Sequence, residues 1–228
     1  MRAERTTEAA AHRVIAIDGP AASGKSSVAL ARARRLGFVY VNSGAMYRAV
    51  TWLVLARGID PANAEAVARL LEGTRVVCDL VNDESRILLD EEDVAEHLRD
   101  VRVNQAVSLV SSVPRVRELL VSRMRQYAQT HDVVMEGRDI GSVVFPETPF
   151  KFYIDASPEI RSRRRAAQGQ TDQIAARDRF DSSRQNSPLL IATDAVVIDS
   201  TELSIEQVVE QIVARLGASG LAVSAVAR

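Results

Sequence analysis

The sequence predicts an α/β fold: a P-loop three-layer sandwich in which helices cover both faces of a parallel sheet, with a small inserted lobe built on a β-hairpin. Three observations predict it. An apolar run, Val14-Ile15-Ala16-Ile17-Asp18, leads into Gly19-Pro20-Ala21-Ala22-Ser23-Gly24-Lys25-Ser26, the pattern G-x-x-x-x-G-K-S in the strand-to-helix setting of a phosphate-binding loop. After it, short apolar runs alternate with helix-forming stretches, the order that sets parallel strands beside one another with helical crossovers between them. A chain of 228 residues, 46% hydrophobic, is long enough for one well-packed domain with insertions but too short for a second full one. The domain is drawn as residues 13–217, with 1–12 and 218–228 as disordered tails.

Taken in order, the first strand ends in a loop whose glycines let the backbone approach a ligand closely. Lys25 places a point charge against phosphates, and Ser26 offers a hydroxyl to Mg²⁺. Asp18 either orients metal-bound water or plays a structural part at the strand end. Lys25 to Leu36 is helix-favouring, and Gly37 stands where a glycine stops a helix. Phe38 to Val41 forms a second strand. Ser43 then caps a helix running to Arg57, with Gly58 as its stop, and Arg48 on it is in the bland reading a solvated charge. Asp60-Pro61 opens another helix that ends near Gly73. Arg75 to Val81 and Arg86 to Asp90, joined by Asn82-Asp83-Glu84-Ser85, read as the hairpin of the inserted lobe.

Pro114 begins an amphipathic helix with Val116, Leu119, Leu120, Met124 and Tyr127 on its buried face, and Arg115 and Arg117 lie off that stripe. Val133 to Met135 is a strand that runs into the polar loop Glu136-Gly137-Arg138-Asp139-Ile140-Gly141, at the edge where open α/β sheets bind ligands. Phe150 to Asp155 is a further strand, and Ser157-Pro158-Glu159 starts a helix carrying Arg161, Arg163, Arg164 and Arg165. Asp194 to Ile198 is the last strand. Ser204-Ile205-Glu206-Gln207 is a capping box for a helix buried through Val208, Val209, Ile212 and Val213.

Composition narrows the function. A formal charge of −1 argues against a nucleic-acid binder, so an anionic partner has to be met by a local cluster. No apolar run reaches the length of a membrane span, and the N-terminus lacks the hydrophobic segment of a signal peptide. The lone cysteine, Cys78, cannot form an internal disulfide; it reads as a core strand residue of a cytoplasmic protein rather than as a reactive thiol. The N-K-x-D segment with which guanine-nucleotide switches read their base is absent. The chain offers instead a surplus of arginines in polar loops: Arg48, Arg117, Arg138, Arg161, Arg163, Arg164, Arg165, Arg177 and Arg184. A phosphoryl-transfer enzyme that joins two anionic molecules must neutralise both, and planar guanidinium forks suit phosphate oxygens.

At this point the chain resembles the bacterial cytidylate (CMP/dCMP) kinases, P-loop nucleoside monophosphate kinases. The likeness is carried by Asp18-Gly19-Pro20 with Gly24-Lys25-Ser26, Ser43 to Arg48, Glu92-Asp93-Val94, Ser108, Pro114 to Arg117 and Glu136 to Gly141. It continues through Val143 to Pro146, Arg177-Asp178, Asp181 to Arg184 and Ser187-Pro188-Leu189, so it spans residues 13 to 216. The resemblance implies ATP-dependent phosphorylation of CMP and dCMP in pyrimidine metabolism, with Mg²⁺ as cofactor; a kinase for UMP or AMP is the alternative. ATP would lie on Gly19, Pro20, Ala21, Ala22, Ser23, Gly24, Lys25, Ser26 and Ser27, with Ser26 on the metal. Arg48, Arg138 and Arg184 would hold the acceptor phosphate near Ser43; Ser108, Arg117 and Asp139 would read the cytosine edge; Arg177 and Asp181 would meet the sugar. For Asp139 the competing reading is an ion pair with Arg138 or a loop cap. The hairpin lobe, about 43–112, becomes the segment that binds the monophosphate, and about 158–184 becomes a mobile lid.

A carboxylate on the exocyclic amine and a guanidinium or hydroxyl on N3 and O2 is the set complementary to cytosine. Uracil presents a carbonyl where the amine was, a mismatch of roughly 1–3 kcal/mol in a buried site. A monophosphate with a second pKa near ~6 is already nucleophilic at neutral pH, so no general base is assigned and His12, His97 and His131 are surface or loop residues. Catalysis then rests on positioning and charge, with Lys25, Arg138, Arg184, Arg161 and Arg165 as the catalytic set. Between Arg165 and Arg177 the chain is shorter than many members of that family, and Arg161 and Arg165 are selected from the arginines before it as those that reach the phosphates. The partners are small nucleotides, and the chain is read as a monomer.

Overall fold

A computed structural model describes residues 12–167, 169, 174–184 and 189–221. Its centre is the first apolar run, β1 (Val14–Asp18), whose five residues are all buried. A strand buried on both faces needs neighbours on both edges. β1 pairs in parallel with β6 (Val133–Gly137) on one side and β7 (Phe150–Asp155) on the other. β2 (Val39–Asn42) extends the sheet beyond β6, and β8 (Val196–Asp199) extends it beyond β7, both in parallel register. The full order is β3-β4-β2-β6-β1-β7-β8, with β5 (Glu92–Asp93) paired to β4.

Alternation along β1 assigns the two layers of helices. Val14 and Ala16 point into a core shared with α2 (Ser43–Ala56), α3 (Ala64–Glu72), α4 (Val101–Val110) and α5 (Pro114–Thr130). Ile15 and Ile17 point the other way, against α1 (Lys25–Leu36) and α8 (Ile205–Ala218). The result is the expected three-layer sandwich. Two further helices, α6 (Pro158–Ala167) and α7 (Ile174–Ser183), lie between β7 and β8 in the chain.

The hairpin forms as β3 (Val76–Val81) and β4 (Glu84–Leu89), with a tighter turn than the sequence suggested. Only Asn82 and Asp83 are unpaired, and both take positive φ (52° and 61°), the geometry whose twist suits a two-residue hairpin. Asp90 and Glu91, also at positive φ, reverse the chain again into β5, which sequence reading missed. The hairpin joins the sheet through one parallel bridge, Tyr40 to Glu84.

Two helix starts differ from expectation. Asn42, not Ser43, caps α2, accepting from the Ala45 amide at 2.9 Å, which frees the Ser43 hydroxyl for the adjacent strand. Asp60-Pro61 makes a turn rather than a helix start, because the Asp60 carboxylate accepts from the Ala62 amide; α3 begins later, capped by Asn63. The capping box Ser204–Gln207 on α8 is present with both of its bonds. Cys78 sits in β3 with its thiol pushed up to about 11 by burial, an inert strand residue.

Two buried charges carry consequences for stability. Arg32 on α1 is wholly buried, none of its guanidinium nitrogens has a hydrogen-bond partner, and burial, helped by Arg35, lowers its pKa to about 10. Replacing it with an apolar side chain of similar length removes a desolvation penalty. Arg32→Met is expected to raise the free energy of unfolding by about 1–3 kcal/mol in chemical denaturation, and a loss of stability would show that the guanidinium is solvated or paired.

Asp18 ends β1 with both carboxylate oxygens accepting backbone amides, from Ile140 and Gly141 at 2.8 Å each. Burial outweighs those bonds and raises its pKa to about 7 from 3.8, so between these values the folded chain holds a proton that the unfolded chain releases. This contribution to stability is complete below about pH 4 and is lost as pH rises through about 7. Relative to Asp18→Asn, wild-type stability should therefore fall across that window by up to about 1.4 kcal/mol per pH unit; parallel curves would mean that the carboxyl stays ionised.

Candidate active site

At the C-terminal ends of β1 and β6 the chain opens a cavity of about 570 Å³, between the two layers of helices and roofed by α6 and α7. This is where a parallel sheet exposes loops on both sides of a central strand. One wall is the glycine loop. Gly19 must lack a side chain, since a Cβ there would run into the Ile154 carbonyl of β7. Gly24 caps α1 from the left-handed region (φ 93°) with no side-chain cap, so the first amides of α1 are available to an anion.

Four carbonyls of the loop are held by cationic side chains. Lys25 folds back to donate to the Pro20 carbonyl at 2.9 Å, and Arg138 donates to Gly19 at 3.0 Å. Arg161 donates to Ala21 and Arg164 to Ser23, each at 3.3 Å. Ser200, buried in the β8–α8 loop, also donates to Ser23, at 2.9 Å, and Arg164 binds the Ser200 hydroxyl and carbonyl. Arg161 is pinned from behind by Asp178 and the Ala156 carbonyl.

Opposite the loop stand the other arginines. Arg48 projects from the first turns of α2 and folds over Gly44, its Nη1 reaching 3.1 Å from where a Cβ would sit. Ser43 donates to the Glu136 carbonyl at 2.7 Å, tying α2 to β6, and the bareness of Gly137 makes room for it. Arg138 and Arg184 converge on one carboxylate, Asp181 of α7: Arg138 Nε donates at 3.0 Å, Arg184 Nη2 pairs with the other oxygen, and Ser108 of α4 donates to that oxygen at 3.3 Å. Burial pulls the Arg184 pKa down, as do Arg117 and Arg138, while Asp181 opposes them. Arg117 forms a buried ion pair with Asp139 and reaches the Ser111 carbonyl. Although off the apolar stripe of α5, Arg117 is not solvated; the face it occupies turns into the cleft.

Lys25, Ser26, Ser43, Arg48, Ser108, Arg117, Arg138, Asp139, Asp181 and Arg184 thus all border one cavity, as do Ala21 to Gly24 and Ser27. Some selections fall elsewhere. Arg161 lies behind the loop, not on the cavity; Arg165 borders it, and so does Arg164, which sequence reading passed over. Gly19 and Pro20 shape the loop without lining the space. Asp139 pairs with Arg117. Asp18, with both oxygens held by amides, takes the structural reading. The Arg177 side chain and the segment around Ser187-Pro188 lie outside the described residues.

Two residues were missed. Glu136, buried at the end of β6, accepts from Ser26 Oγ at 2.8 Å and from the Tyr40 hydroxyl at 3.4 Å. Its signal was an acidic residue at the C-terminal tip of a strand beside the P-loop strand. Tyr47, inside the motif Ser43 to Arg48, borders the cavity and packs under the Arg117 guanidinium at 5.6 Å. The far end, beyond the glycine loop, is walled by Ala167, Leu203, Ile205 and Val208. Among the described residues no histidine borders the space: His97 stacks on Trp52, and His12 and His131 lie near Asp132 and Thr130. No helix among them is long and apolar enough to cross a membrane.

Residues 15–217 match the family model described as cytidylate kinase. A cytidylate kinase of Pelotomaculum thermopropionicum is 46% identical over 218 residues, covering 90% of this chain and 96% of that protein. One of Mycolicibacterium paratuberculosis is 46% identical over 211 residues, covering 87% and 92%. Among solved structures, an uncharacterized protein from Eubacterium ventriosum superposes with a TM-score of 0.50 at 11% identity over 91% of this chain and 99% of its own, a likeness of fold alone.

Proposed function

The chain belongs to the cytidylate kinase family, and from that membership and the two facing cation sets we propose that it transfers the γ-phosphoryl group of ATP to CMP and dCMP. One observation carries the reading: Lys25 of the glycine loop and the trio Arg48, Arg138 and Arg184 line a single cavity, so two anionic ligands can meet end to end within it. ATP lies with its phosphates on the glycine loop and the start of α1, and its base against the apolar wall of Leu203, Ile205 and Val208.

The reaction needs no general base. A dianionic acceptor is nucleophilic as it enters, and what opposes reaction is the repulsion of two phosphates. Lys25 on the donor side and the three arginines on the acceptor side offset that charge once the two ligands fill the cavity. Ser26 and Glu136 hold two hard oxygens 2.8 Å apart at the phosphate end of the loop, a donor set that fits Mg²⁺ with further oxygens from water and phosphate. Bound there, Mg²⁺ would neutralise charge on the β- and γ-phosphates.

The Arg117–Asp139 pair is suited to cytosine: its carboxylate accepts from the exocyclic amine while its guanidinium donates to ring acceptors. Asp181, with Arg177, is assigned to the sugar hydroxyls, and α6 and α7 to a lid that excludes water. The segment 43–112 is the acceptor-binding lobe. Since one chain supplies both cation sets, the protein is read as working as a monomer, in the cytoplasm.

Turnover against an acceptor panel tests the reading: kcat/KM for CMP and dCMP should exceed that for UMP by at least ~10-fold, with AMP weaker still, and UMP or AMP outrunning both would overturn it. Arg184→Ala should lower kcat by roughly 10²-fold while KM for ATP stays within about threefold; an unchanged rate would remove Arg184 from the site.

A further inference from the structure

Among the described residues Tyr47 and Arg184 line the acceptor half with a buried polar atom left without a partner, and Arg184 spends its Nη2 on Asp181 whereas the hydroxyl is the only polar atom of the Tyr47 side chain. Its ring is closed in by the α2–sheet core, and its hydroxyl is buried without a hydrogen-bond partner. Buried hydroxyls are nearly always paired, so an orphan on the wall of a cavity marks a place where a ligand atom belongs. Its surroundings say which ligand. The Arg117 guanidinium lies over the ring, and Arg117, Asp139 and Arg184 are the charges closest in effect to the hydroxyl; all three belong to the acceptor half, and the glycine loop contributes none.

We propose that Tyr47 binds the acceptor nucleotide, its hydroxyl donating a hydrogen bond to a nucleoside or phosphate oxygen while its ring fixes the plane of the Arg117 fork. The inference rests on the kinase reading above and extends it to a residue with no role there. The hydroxyl acts as a donor because burial raises its pKa well beyond that of free tyrosine, and it keeps its proton beside an anionic ligand. The ring contact is a cation–π arrangement, which holds a guanidinium flat without using its N–H groups and leaves them for Asp139 and the base.

Tyr47→Phe keeps the ring and deletes only the hydroxyl, so it separates binding from packing. In the ligand-free protein, losing an unpaired buried hydroxyl leaves Tm unchanged or higher. With ligand, KM for CMP should rise roughly tenfold while kcat stays within about twofold and KM for ATP is unmoved, and the upward Tm shift produced by CMP should shrink. An unchanged KM and CMP-induced shift would overturn the proposal. So would a lower ligand-free Tm accompanied by equal changes in both KM values, since that pattern belongs to a structural residue. Wild-type protein run in parallel keeps the two readings apart: if it fails to phosphorylate CMP the kinase reading falls, whereas normal wild-type turnover with an indifferent variant removes Tyr47 alone.

Discussion

The site depends on what happens to the carbonyl oxygens of the glycine loop. A loop that receives phosphates presents as many acceptor dipoles as donor ones, and exposed acceptors would repel the ligand. Here Gly19, Pro20, Ala21 and Ser23 each give their oxygen to a cation: Arg138, Lys25, Arg161 and Arg164. The carbonyls are neutralised from the protein side, so the acceptor dipoles of the loop are each met by a positive side chain. The four cations come from β6's end, α1 and α6, which makes the loop's shape a product of the whole sandwich.

The same bonds join the two halves of the cleft. Arg138 touches a loop carbonyl through one nitrogen and Asp181 through another, and Asp181 in turn holds Arg184 and the Ser108 hydroxyl. A single buried carboxylate therefore couples the P-loop, α4, β6 and α7. Without it the Arg138 and Arg184 guanidinium groups would lack their shared counter-charge; the Arg184 pKa is lowered by burial first and by Arg117 and Arg138 after it, with Asp181 opposing. Asp139 does the same for Arg117. These ion pairs are weak evidence of stability, because burying them is itself unfavourable; what they do in the structure is fix where the guanidinium groups sit.

Much of this was legible in the residues. Val14 to Ile17 declared a strand buried on both faces by being apolar at every position, and the spacing of the loop after it is the phosphate-binding pattern. The arginines read as loop residues divide in the structure: Arg138 and Arg184 lie outside helices, whereas Arg48, Arg117, Arg161 and Arg164 stand on α2, α5 and α6. The errors were local ones of competing hydrogen bonds. Asn42 and Ser43 are both good caps, as are Asp60 and Asn63, and composition cannot say which side chain wins when a neighbour claims the other. β5 has two residues, too few to carry a period, and α4 was passed over because its apolar residues are interrupted by Arg102, Asn104 and Gln105.

What the sequence alone determined is most of the elements and their order, β5 and α4 excepted, since buried strands, glycine turns and apolar helix faces are written in residues a few positions apart. The tertiary structure decided which charge meets which. It put Glu136 on Ser26 across 110 positions and Arg164 on the loop across 141, and it set Arg161 behind that loop instead of on the cavity. The physical reason is range: helix and strand propensities act between neighbours, whereas an ion pair or a hydrogen bond needs only proximity, and proximity between distant segments exists once the sheet has assembled.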